Sequence, residues 1–479
     1  MHLTYLLPFA LLLPAAAAQA ALPPLFSPNI PAYLQALNQS QDPQAQALRI
    51  RIASGPADLT RERSLAVKEG VVTRAGQPQH VLPPADQNAA PLYTELDALR
   101  HQEPFYLTDP AESFSLRYIY TPAQLDAVQS IIRSRPDILT LLHQALVKPQ
   151  CVFPDDPKPF DFPKEYTGLR EDARELKAES TLLAFGGKYT DAAANQELGF
   201  RLSSQVTSTP KEIGFLVGEA IDAITVGSLQ DILAKAGPDA TLDSRVSAAI
   251  LALPPLSLSH ALSGEPAEAD AEFDILRRAK PAELAEALQL TGLQTVSPAA
   301  KFRPAEQRQI NNLLDAAEAD YLHGMRQIIP AADNPAARRA VFAAAEARPD
   351  TDDPIRTISD TFNPVVSAER IMGSSPTLGG LEQQAARVAA RRLVLAAGAA
   401  VLAAKAQTGA FPAALPAPFT DPFTGKPLGY RREGTGFAVY SAGPAGTFDG
   451  GKPGDPAFGP NTVFRYPLVP VPVPPEALK

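Results

Sequence analysis

Residues 169–204, LREDARELKAESTLLAFGGKYTDAAANQELGFRLSS, decide the fold class. Leu176, Leu183 and Phe185 line one face of a helix, Gly187-Lys188-Tyr189 turns the chain, and residues 192–202 return it as a second helix. The unit this predicts is an antiparallel helix pair. Helical spacing continues on both sides of it. Upstream, Asn88 is a candidate cap for a helix whose Leu92, Leu96 and Leu99 form an apolar stripe. Thr121-Pro122 opens another, with Leu125, Val128, Ile131 and Ile132 as its buried face, and a third is expected over 137–147. Downstream, helices are expected at about 211–235, 241–252, 267–277, 281–290, 304–329 and 335–347.

Beyond a polar, proline-broken stretch, helical character resumes at 378–407, where Ala386, Ala390, Leu393, Ala397 and Val401 form a stripe and Gly409 ends the run. Leu428 and Tyr430 then alternate with polar neighbours, Gly434-Thr435-Gly436 is a turn, Phe437, Val439 and Tyr440 belong to a second strand, and residues 463–466 to a third. The predicted fold is therefore mainly α. A multi-helix, helical-hairpin body over 88–349 and a linker over 350–377 precede a long helix and a small antiparallel β-meander over 378–466, an α+β module. Residues 21–87 read as irregular, with 49–53 (RIRIA) and 67–73 as short strands, and 467–479 as a proline-rich strip with no core of its own.

The chain opens with an apolar run over 3–14, followed by Ala18-Gln19-Ala20, a small-x-small pattern that predicts a signal peptide over 1–20, cut after Ala20. The run is shorter than the ~20 apolar residues of a spanning helix, and no cysteine follows it. An exported protein, periplasmic or secreted, is the expectation. Forty-nine prolines, about twice the usual share, predict a chain cut into many short elements. A net charge of −9 argues against nucleic acid and anionic lipid as partners. Cys151 is the single cysteine, so no internal disulfide closes. It is a nucleophile, an intermolecular bridge or, the reading favoured by its apolar neighbours Val152 and Phe153, a small buried hydrophobe.

Three resemblances bear on architecture and partners. The pieces Gly409-Ala410-Phe411-Pro412, Asp421-Pro422, Tyr430-Arg431 and Tyr440-Ser441-Ala442-Gly443, followed by the loop Gly446-Thr447-Phe448-Asp449-Gly450-Gly451, resemble the C-terminal half of the major pseudopilin of type II secretion systems. That likeness implies a calcium loop and an envelope or secretion-system partner. Here Asn461 stands where a second acidic residue commonly precedes the last strand, and the family's membrane helix is missing ahead of the module. The whole chain looks like a group of uncharacterised exported bacterial proteins with a helical body, in which the Asn88-Ala89-Ala90-Pro91-Leu92-Tyr93 start and the Cys-x-Phe at Cys151 recur; this implies no activity. The Gly187-x-Tyr189-x-x-Ala192 turn is similar to that of a tetratricopeptide hairpin, without a second copy.

For calcium, Asp449 and Asp455 with loop carbonyls supply part of the six to eight oxygens required at about 2.4 Å; the competing role of this loop is a solvated turn. Asp97 with His101 and Asp320 with His323 are helical pairs too small for a metal site and read as surface hydrogen bonds. Glu219 and Asp222 are a carboxylate pair that reads as a solvated face. Signatures of serine hydrolases, zinc proteases and phosphate loops are absent from the sequence. The function expected is a non-catalytic binding or scaffold module of the envelope; the alternative is an exported hydrolase of peptide or glycan using carboxylates of the helical body.

Overall fold

Proline starts helices in this chain. The computed structural model describes residues 30–72, 82–101, 114–133, 136–153, 165–279, 303–346, 353–363, 380–451 and 462–472. In chain order the elements are α1 (Ile30–Gln39), α2 (Pro43–Lys68), α3 (Ala90–His101), β1 (Tyr118–Ile119), α4 (Pro122–Arg133), α5 (Pro136–Leu146), α6 (Glu165–Phe185), α7 (Tyr189–Val206) and α8 (Glu212–Ala236). They continue with α9 (Ala240–Ala252), α10 (Leu258–Leu262), α11 (Glu265–Arg278), α12 (Pro304–Ala331), α13 (Pro335–Glu346), α14 (Pro354–Phe362), α15 (Leu381–Thr408), β2 (Gly429–Glu433), β3 (Gly436–Tyr440), β4 (Val463–Tyr466) and β5 (Val471–Pro472). The protein is mainly helical with a small C-terminal antiparallel sheet. Pro43, Pro122, Pro136, Pro304, Pro335 and Pro354 are first residues of helices, where the missing N–H would have had no partner and the fixed φ suits the turn. The expected shortness does not follow: α8, α12 and α15 run 25, 28 and 28 residues.

The chain divides into two compact units. One takes residues 1–61, 273–320 and 350–359. Within it the Arg49 guanidinium donates to the carbonyls of Leu37, Asn38 and Ser40 at 2.8, 2.8 and 2.9 Å, closing the C-terminal end of α1. Arg277 is held by Asp315 at 2.7 Å and by the fully buried Glu318.

The other unit takes residues 62–272, 321–349 and 360–479. Its α6 and α7 form the predicted hairpin, with Gly187 at φ 73° in the turn and Ala192 and Ala193 fully buried where the helices meet. Both pack on α8. That helix buries Phe215, Ile221, Leu229, Ile232 and Leu233 completely and shows little amphipathic pattern, because neighbours cover most of its faces. α15 lies against α8 and α9 and carries the sheet, whose order is β2-β3-β4, antiparallel throughout. Gly398 makes that approach possible: a Cβ there would stand 2.6 Å from the Phe464 ring. Phe437 stacks on Phe464 at 5.7 Å between ring centres, completing a core shared by helix and sheet.

Four expectations are corrected. Residues 21–87 contain α1 and α2, so RIRIA is helical; Leu48, Ile52 and Leu59 of α2 are buried at helical spacing while Ile50 is 69% exposed. Within the expected linker, Pro354–Phe362 is the helix α14, its first turn capped by Asp353, which accepts from the Ile355 N–H at 3.0 Å. The tail contributes β5, paired with β1 in parallel. Glu219 and Asp222 do not lie on a solvated face; both pair with arginines of α15. The signal peptide at 1–20 and the helix expected over 281–290 lie outside the described residues.

Candidate functional site

The residues with chemical potential are best followed from the ends of helices, where unpaired N–H groups draw acids in. α8 begins after Lys211, whose side chain caps nothing. Its first N–H, that of Glu212, instead donates to Glu265 Oε1 at 2.6 Å, so the acid that opens α11 closes the start of α8. The Glu265 carboxylate thus meets the backbone of Glu212, and Lys211 Nζ lies 3.3 Å from Glu268. Burial pushes the Glu265 carboxyl up to about 7, with Glu268 adding to the effect and the Glu212 N–H and Lys211 opposing it. Burial, then the charge of Glu265, raises Glu212 well above the usual carboxylate range. The sequence offers no short-range signal for this pair, since the partners stand 53 residues apart.

Elsewhere the acids serve as caps and ties. Asp239 accepts from the Thr241 and Leu242 N–H groups at the start of α9, both at 2.9 Å. Asp333 takes the Leu258 and Ser259 N–H groups at 2.8 and 3.1 Å, together with the hydroxyls of Ser257 and Ser259. Asp222 is fully buried and paired at 2.7 Å with Arg392, whose guanidinium also donates to the Pro254 carbonyl at 2.7 Å and lies over the Phe200 ring. Burial lifts the Asp222 carboxyl to about 6 against the pull of Arg392. Glu219 pairs with Arg391 one turn away. In the same way Arg100 of α3 grips the buried Asp172 of α6 and donates to the Gly168 carbonyl at 2.8 Å.

The Asn88 and Cys151 motifs meet. The Asn88 amide donates to the Val152 carbonyl and its Oδ1 accepts from the Val152 N–H, both at 2.9 Å, while Oδ1 also receives the Ala90 N–H at 3.2 Å. One side chain therefore clamps the Cys-x-Phe segment and caps α3. Tyr93, the last residue of that motif, donates to Gln205 Oε1 at 2.6 Å, and Gln205 Nε2 donates to the carbonyls of Ala145 and Lys148. Cys151 is a free thiol, fully buried among Tyr166, Phe153 and Leu169; burial pushes its pKa up, away from the reactive thiolate.

Asp449, one of the two residues expected at calcium, accepts from the Gly451 N–H at 3.0 Å, an Asx turn. The Gly451 carbonyl receives Arg465 Nη2 at 3.0 Å, and Arg431 Nη1 lies 2.7 Å from where a Gly450 Cβ would stand. Asp455 lies outside the described residues. Among the described residues Asp449 is the carboxylate of this loop, and the Arg431 and Arg465 guanidinium groups beside it also pair with Glu433. Among the described residues no group of three or more His, Cys, Asp or Glu is placed to hold a metal. Asp320 is taken by Arg51 at 3.9 Å, His323 contacts Glu62 at 3.7 Å and Gln327 at 2.9 Å, and Asp97 faces Gly168.

In the C-terminal module Asp421 is fully buried and accepts from the Phe423 and Ala442 N–H groups at 2.9 and 2.6 Å and from the Ser441 hydroxyl at 3.2 Å. The Asp-Pro start and the Tyr-Ser-x-Gly strand are thereby locked to one another. No family model, curated protein or solved structure matches the chain. Among the described residues no helix is long and apolar enough to cross a membrane.

Proposed function

We propose that the protein is a non-catalytic, exported component of the bacterial envelope that acts as a scaffold or binding module, with a pseudopilin-like C-terminal ending. The observation that carries the proposal is the employment of its buried acids: Asp172 and Asp222 each give one carboxylate oxygen to a guanidinium, and Asp421 accepts from backbone N–H groups. A group engaged in this way ties elements of the fold together. The test is affinity capture of the full-length protein from the producing cell's envelope after mass measurement of its N-terminus. A chain lacking residues 1–20 with a stoichiometric partner supports the proposal. An intact leader on cytosolic material contradicts it.

One observation favours a hydrolase as the second reading: the Glu265 carboxylate caps the Glu212 N–H, and the proton affinity of both carboxyl groups is raised, as general acid catalysis requires. Turnover of peptide or glycan polymers that disappears in Glu265→Gln while the fold persists would install it. Identical rates in the two proteins remove it.

A further inference from the structure

The segment Leu468-Val469-Pro470-Val471-Pro472 runs beside β1, with Tyr118 opposite Val471 and Ile119 opposite Pro472 in parallel register. The Val471 N–H donates to the Arg117 carbonyl at 2.8 Å. In an extended chain neighbouring residues direct their backbone groups to opposite edges, so Val471 faces β1 while Pro470 and Pro472 face away. Proline has no N–H. The segment is a strand with one working edge: its valine side adds to a sheet, and its proline side offers no donor to a further strand.

β1 is held in place by groups other than this tail. The Arg117 Nε donates to both Asp231 carboxylate oxygens at 2.9 Å. The Ser115 N–H donates to the Tyr120 hydroxyl at 3.0 Å, and the Tyr120 ring packs on Phe114 and Phe185 at 5.2 and 5.7 Å. The tail is held more lightly. Leu468 packs partly against the core, but Val469 is 75% exposed and Val471 49% exposed. With its valines exposed, this strand is retained on β1 by backbone hydrogen bonding.

We propose that the edge of β1 is a strand-acceptor site for an extended valine–proline segment, that the chain's own tail fills it in cis, and that the tail of a second copy takes the same place when the first is displaced. Among the described residues the segment that fits this edge is the tail, and exchange of an identical element between copies is the partner it implies.

The test uses the full-length chain carrying Tyr118→Cys and Val471→Cys, which stand opposite each other, with Cys151 buried and out of reach. Oxidation closes a disulfide within the chain. An excess of synthetic peptide of residues 467–479 is expected to slow that closure at least five-fold, and the same peptide with Val471→Pro, lacking the N–H that reaches Arg117, to leave it unchanged. Equal rates with both peptides overturn the proposal. Should the cysteines disturb the fold, the unsubstituted chain answers through hydrogen exchange of the Val471 amide. That amide is expected to be protected alone and to lose protection under excess peptide; protection indifferent to peptide overturns the proposal.

Discussion

Asn88 shows how much one amide can hold. It satisfies the N–H and the carbonyl of Val152 and caps α3, all in a buried setting. Asn88→Ala is expected to cost about 2–3 kcal/mol, read as a shifted urea midpoint. Asn88→Asp keeps the acceptor but leaves the Val152 carbonyl facing an anion, and should be as damaging at pH 7. At Glu265 the pH dependence carries a definite sign. The carboxyl titrates near 4.5 when unperturbed and about 7 in the fold, so the folded chain holds the proton more tightly. Its contribution to stability is therefore most favourable below pH 4.5 and is lost as pH rises to about 7. Glu265→Gln keeps an acceptor for the Glu212 N–H without the charge. It should match the parent near pH 4 and exceed it by about 3 kcal/mol at pH 8. A difference that is the same at both pH values would show that Glu265 is not the titrating group.

At the scale of the element, Gly398 and the acidic loop give the clearest expectations. Gly398→Leu must force Phe464 and the sheet away from α15, and should lower stability by about 1–3 kcal/mol with amide protection lost first in β3 and β4. Because Arg465 donates to the Gly451 carbonyl and so ties the loop to the sheet, chelator is expected to leave the melting temperature of the full chain unchanged. A drop of several degrees would support calcium at Asp449 and Asp455. Helices whose apolar residues continue without a local break were legible: residues 211–235 match α8, Glu212–Ala236, and 335–347 match Pro335–Glu346. α2 was not, for a local reason. Its buried positions Ala45, Leu48, Ile52, Leu59 and Ala66 keep helical spacing, but Ile50, 69% exposed, makes Arg49–Ala53 imitate strand alternation, and Gly55-Pro56 mimics a break. The predicted calcium ligands illustrate the opposite limit. Asp449 stands in a turn, as glycine and aspartate suggest, yet the arginines that face the loop come from strands, one of them across a stretch of chain no local pattern spans.

Among the described residues, buried or half-buried charge is distributed as ties between helices: Arg100 with Asp172, Arg391 with Glu219, Arg392 with Asp222, Arg326 with Glu62. The prolines that begin helices and the acids that cap them do the same work at helix ends. A carboxylate pair visible in the sequence, Glu219 and Asp222, was expected on a solvated face, because nothing local reveals that Arg391 and Arg392 return to it about 170 residues later. The central proposal is that such acids hold the fold. The most direct measurement is a double-mutant stability cycle of Asp222→Asn and Arg392→Met at pH 7.5. The account predicts that Arg392→Met alone costs about 3 kcal/mol and that the two changes are coupled by at least about 1.5 kcal/mol. Additive effects, or an Asp222→Asn protein as stable as the parent, would contradict it.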